Sequence, residues 1–102
     1  LAPFLAVLKL MGEGRGGMSI PMKGYTLALD FPYTSRLRGL LDELDRIVLD
    51  HGGRIYLAKD ARMSAATCWQ AYSGATAFEE LRRAHGAAGF FSSHQSQRLG
   101  FA

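Results

Sequence analysis

At 102 residues the chain is one domain or less, and its 48% hydrophobic and 21% charged content is that of an ordinary soluble protein. A net charge of +3 with no block of five or six like charges excludes a nucleic-acid-binding tail, and the single cysteine, Cys68, excludes an internal disulfide or a cysteine-rich zinc site. Cys68 reads as a small buried hydrophobe, which places the chain in a reducing, cytoplasmic setting or at least frees it from disulfides.

The first predicted element is an apolar run from Phe4 to Met11, read as a buried strand. It is too short and too soon charged, at Lys9, to span a membrane, and no basic segment precedes it as in a signal peptide. With Leu1-Ala2-Pro3-Phe4 in place of an initiator methionine, it reads as a strand whose upstream neighbours are missing, so a fragment of a longer protein is expected. Gly12 to Gly17 (GEGRGG) is a glycine-dense turn. Tyr25 to Phe31 alternates: Tyr25, Leu27, Leu29 and Phe31 share one face, expected in a core, while Thr26, Ala28 and Asp30 share a small, polar face turned to water or a pocket.

Pro32 ends that strand, and a helix is expected from Ser35 to His51. Its apolar stripe is Leu37, Leu40, Leu41, Leu44, Ile47 and Val48; Arg36, Arg38, Asp42, Glu43, Asp45 and Arg46 cover the outer face. Gly52 stands where a left-handed C-cap belongs. Arg54 to Lys59 (RIYLAK) reads as a third strand. Helices follow from Ser64 to Tyr72, from a Thr76–Glu79 capping box to His85-Gly86, and from Ser92, with Gln95 as capping partner, to Leu99. The order predicts an α+β fold with a mainly antiparallel sheet and covering helices.

Gly12 to Gly17 satisfies G-x-G-x-x-G after a strand, but a dinucleotide fingerprint needs a helix to open inside the motif. Pro21 and Gly24 resist one, so a hairpin loop is expected. His51, His85 and His94 form no metal-ligand spacing; His51 sits at a helix C-terminus, where a cation is favoured. Lys59 closes an apolar segment and starts a loop, a position from which a lysine can hold an anion or stabilise negative charge on a reduced cofactor. Its plain alternative is a surface pair with Asp60 or another carboxylate.

Three blocks stand in order: Phe4 to Lys9 (FLAVLK), Ser19 to Pro32 (SIPMKGYTLALDFP) and Gly52 to Arg62 (GGRIYLAKDAR). Together they resemble the C-terminal part of FAD-linked oxidases of the vanillyl-alcohol-oxidase superfamily. The block ending in Ala58-Lys59-Asp60-Ala61-Arg62 is the most specific. The resemblance implies that the chain is the late part of a substrate (cap) domain plus its closing C-terminal helices, that an N-terminal FAD-binding domain is the missing partner, and that the intact enzyme oxidises a sugar or alcohol hydroxyl by hydride transfer to flavin. On the same resemblance Lys59 is the catalytic lysine reaching flavin and substrate, with Tyr56 and Ala28 beside the flavin and Lys9, Met11 and Thr26 toward the substrate. The fragment alone would be inactive and without FAD. The alternatives are a small non-enzymatic α+β protein-binding module, or an anion binder using Lys9 and Lys59. Exposed sheet edges would favour a homodimer.

Overall fold

A computed structural model describes residues 2–101. Strands β1 (Leu5–Met11) and β2 (Gly24–Asp30) form a two-stranded antiparallel ribbon. Then come α1 (Leu37–Asp50), a 3-10 turn (Leu57–Lys59), α2 (Ala65–Ala71), α3 (Ala75–Ala84) and α4 (His94–Arg98). The α+β class is as expected, and residues 12–23, with GEGRGG, form the link between the strands rather than the mouth of a helix.

The ribbon's register pairs Leu5 with Asp30, Val7 with Ala28, Lys9 with Thr26 and Met11 with Gly24. Because side chains alternate along each strand and partners lie on the same side, these residues form one face. Ala6, Leu8, Leu10, Tyr25, Leu27 and Leu29 form the other. That second face is the one expected in a core, yet Leu8 is 65%, Leu10 72%, Tyr25 72% and Leu27 57% exposed. β1 is likewise exposed along nearly its whole length rather than buried. Alternation fixes which residues share a face, but burial needs a covering layer, and no third strand joins this sheet among the described residues.

The expected strand from Arg54 to Lys59 does not form. Its backbone groups are taken by other partners: the Tyr72 hydroxyl donates to the Ile55 carbonyl, Gln95 donates to the Leu57 carbonyl, and the Lys59 N–H bonds back to Tyr56 O. With no neighbouring strand to pair with, Ile55 and Leu57 instead pack on the helices.

The core lies among those helices: Met63, Cys68, Tyr72, Ala75, Leu99 and Phe101 are buried, with Met18, Trp69 and Ala71 partly buried against them. Trp69 stacks on Phe101 at 5.0 Å and donates its indole N–H to the Leu99 carbonyl at 2.7 Å, so the C-terminal residues are tied to α2. Cys68 is wholly buried, as expected, and burial pushes its thiol pKa up. Met18 and a hydrogen bond from Arg54 to the Ser19 carbonyl (2.7 Å) join the inter-strand link to the helices. There the chain passes so close that a Cβ on Gly74 would stand 2.6 Å from Gly17 O.

The helix ends follow local chemistry. Gly52, at φ +72°, takes the left-handed position after α1, as expected. The Ser64 hydroxyl accepts the Thr67 N–H to start α2. The closing capping box is Ser93 with Ser96, one residue on from the expected Ser92–Gln95 pair. The expected Thr76–Glu79 box is absent: α3 starts after Gly74 with no side-chain cap, and buried Glu79 pairs with Arg82 at 2.8 Å. In α1 the leucines are half-buried as the stripe predicts, but Ile47 is exposed. Asp45, assigned to the outer face, is only 8% exposed because it receives Arg62.

Candidate functional site

A 3-10 turn of three residues holds itself with poor hydrogen-bond geometry, so the lysine turn depends on what flanks it. Asp60 is buried and works toward α4. Its Oδ2 accepts from Arg98 Nη2 at 3.0 Å and its Oδ1 from Gln95 Nε2 at 3.0 Å. Arg98 also donates to the carbonyls of Asp60 and Met63. Arg62 works toward α1, donating to both oxygens of Asp45 at 2.7 and 2.8 Å, to Asp42 at 3.1 Å and to the Leu41 carbonyl at 3.2 Å. The hydrogen bond to Asp45 raises the Arg62 pKa further, so the guanidinium stays charged. In Lys59-Asp60-Ala61-Arg62 the second and fourth residues are therefore fasteners to two different helices.

Lys59 is left exposed and forms no ion pair among the described residues; the expected surface pair with Asp60 is replaced by the Asp60–Arg98 bridge. Tyr56, 49% exposed, precedes the turn as its N-cap. The structure thus offers an unpaired cation and an exposed aromatic side chain on a fastened turn.

The other candidate residues gather on the ribbon. Lys9 and Thr26 are direct cross-strand partners, and Met11 and Ala28 lie on the same face in adjoining rows. Lys9 and Ala28 are exposed; Met11 and Thr26 are half-buried. The face expected from the alternation of β2 is thereby extended onto β1, bringing four predicted site residues onto one side. No side-chain hydrogen bond or ion pair joins this group to Lys59 or Tyr56 among the described residues, so the site residues form two groups.

An open cleft of about 360 Å³ lies between Met18, Leu57, Phe78, Phe91, Leu99 and Phe101; it touches the lysine turn at Leu57, but neither Lys59 nor Tyr56 lines it. Arg82 at its edge is committed to Glu79 and to the Phe91 carbonyl at 2.9 Å. Because four separate stretches of chain build this cleft, no local pattern announces it. The Asp45–Arg62 and Asp60–Arg98 pairs, also unforeseen, join residues 17 and 38 positions apart, and no local pattern announces them. Among the described residues no group of His, Cys, Asp and Glu could hold a metal ion, and no helix is long and apolar enough to cross a membrane.

No family model matches the chain. It is 39% identical over 97 residues to decaprenylphosphoryl-β-D-ribose oxidase of Mycolicibacterium smegmatis, an alignment covering 94% of this chain and 21% of that protein. It is 38% identical over 96 residues to the uncharacterised protein in the mprA 5′ region of Streptomyces coelicolor, covering 92% of this chain and 26% of that one. The chain thus spans about a fifth to a quarter of the curated relatives it matches. Over nearly its whole length it is homologous to a portion of an oxidase, and the resemblance to the oxidase family carried by its three motif blocks is borne out.

Proposed function

We propose that the chain supplies one wall of the substrate site of an FAD-dependent oxidoreductase, as part of a C-terminal substrate domain, and is inactive by itself. The observation that carries this reading is Lys59: an unpaired, exposed lysine on a turn fastened by Asp60 to α4 and by Arg62 to α1. A fixed cation costs no reorganisation when negative charge develops beside it, which is the condition for useful electrostatic stabilisation.

The residues present fit part of a flavin site. A lysine and an exposed tyrosine beside it suit a flat ring that gains negative charge. The ribbon face with Thr26 and Ala28 offers small side chains, over which a planar group can lie closely. No glycine-rich helix N-terminus for a pyrophosphate occurs among the described residues, so that part of the cofactor would be held by further polypeptide, in keeping with the fraction of the relatives that the chain covers. A flavin held there would supply the hydride-accepting chemistry for oxidation of a sugar or alcohol hydroxyl. Lys59 would hold positive charge beside the ring, Tyr56 would pack at its edge, and Lys9 would bind an anionic group such as a phosphate on the substrate. Met11 and Thr26 would shape the pocket around the sugar.

The test uses the product of the complete gene. It should show flavin absorbance bleached by substrate without oxygen, whereas the 102-residue chain should show none. Lys59→Ala should keep its flavin and slow the bleaching by roughly a hundredfold, the loss typical of one strong electrostatic contact. Absence of flavin from the complete product, or bleaching by Lys59→Ala at the parental rate, would refute the reading.

A further inference from the structure

We propose that Gln95 is a positioning residue for Lys59, a role that rests on the reading of Lys59 given above. The amide nitrogen of Gln95 donates to the Leu57 carbonyl at 2.6 Å and to Asp60 Oδ1 at 3.0 Å. These acceptors lie on either side of Ala58 and Lys59, so one side chain spans the turn that carries the lysine. An amide NH2 has two hydrogens, and both are used. Both partners are acceptors only, which sets the nitrogen rather than the oxygen toward the turn. The turn's own contribution is one backbone bond, Lys59 N–H to Tyr56 O at 3.1 Å, and it does not fix the exit of the chain at Asp60.

Gln95 can act this way because α4 is itself held in place. The Ser93–Ser96 capping box sets its start, and Trp69 on the Leu99 carbonyl and Phe101 against Trp69 hold its end. Arg98, on the same helix, is a different case. It carries Met63 and the Asp60 carbonyl as well as the Asp60 carboxylate, so its loss would disturb the core. Gln95 is exposed, and its side-chain hydrogen bonds go to the turn alone. It is the member of the network whose removal frees the lysine turn while sparing the core.

Two measurements on Gln95→Ala test this. In the 102-residue chain, exchange of the Lys59 amide hydrogen should quicken roughly tenfold while the amides of α3 keep their parental rates, because local opening and global unfolding are separable. In the flavin-loaded product of the complete gene, substrate should reduce the flavin roughly tenfold more slowly, with flavin content and substrate affinity unchanged. Gln95→Lys, whose ammonium can donate to both acceptors, should restore most of that rate. Parental exchange at Lys59 in Gln95→Ala overturns the inference, as does a parental reduction rate in Gln95→Ala beside a slow Lys59→Ala. A parental rate in Lys59→Ala overturns the functional reading of the lysine instead, and the exchange measurement still decides whether Gln95 holds the turn.

Discussion

Replacing Arg62 by alanine should cost far more than the loss of a surface arginine. The substitution removes two hydrogen bonds of 2.7 and 2.8 Å to Asp45, one of 3.1 Å to Asp42 and one of 3.2 Å to the Leu41 carbonyl. More costly still, it leaves the carboxylate of Asp45, 8% exposed, without its counter-charge. Breaking a fully buried pair from one side costs about 3–5 kcal/mol. The Arg62 side chain keeps 20% of its exposure, so water can reach part of the gap and the expected loss is about 2–3 kcal/mol. For a chain of this size that lowers the melting temperature by roughly 10–20 °C. Trp69, the sole tryptophan and packed at the core, gives the fluorescence signal for urea and thermal unfolding. The double variant Asp45→Ala/Arg62→Ala should be more stable than Arg62→Ala alone, since the stranded charge is gone. A loss below about 0.5 kcal/mol for Arg62→Ala, or a double variant whose loss is the sum of the two singles, would refute the reasoning.

The chain should lose stability in alkali through Tyr72, whose burial pushes its pKa up to about 12 from an ordinary 10. The folded state holds this proton more tightly than the unfolded chain, so the contribution is whole below pH 10 and lost between 10 and 12. It amounts to about 2–3 kcal/mol in urea titrations. Tyr72→Phe should flatten that loss, and an unchanged slope would contradict the assignment. Gly74→Ala should destabilise the fold by about 1–3 kcal/mol, because its Cβ would stand 2.6 Å from Gly17 O and the backbone must move; a melting temperature equal to the parent's would show that the link does not pass where it is placed.

Much of the local structure is legible in the residues. The stripe from Leu37 to Val48 and Gly52 announce α1 and its end, and Ser64 announces α2. Less legible is anything that depends on a partner distant in sequence. Arg54 to Lys59 has the composition of a strand, but a strand needs an edge to pair with, and side chains from Tyr72 and Gln95 claim its carbonyls instead. Asp45 sits at an outward helical position until Arg62, seventeen residues on, folds over it. Tyr25 and Leu27 alternate as core residues do, yet nothing among the described residues covers them. At the site, Lys59 stood out by its place at the end of an apolar segment, whereas the fasteners around it emerged only from the tertiary arrangement.

The ribbon and the helical core also differ in how their order is maintained. Each core residue is held by neighbours from several elements, so displacing one of them opens a cavity and is resisted by close packing. The ribbon relies on its own cross-strand ladder, with both faces largely in solvent and with the link through Met18 and Arg54 as its mooring. A lone hairpin of this kind is marginal in water. Loss of the ribbon's pairing is therefore expected to leave the packing around Tyr72 and Phe101 intact, with hydrogen exchange in the ribbon faster than in the helical core. Lys9 stands on the ribbon and Lys59 on the helical part, so the placement of one against the other depends on the inter-strand link moored through Met18 and Arg54.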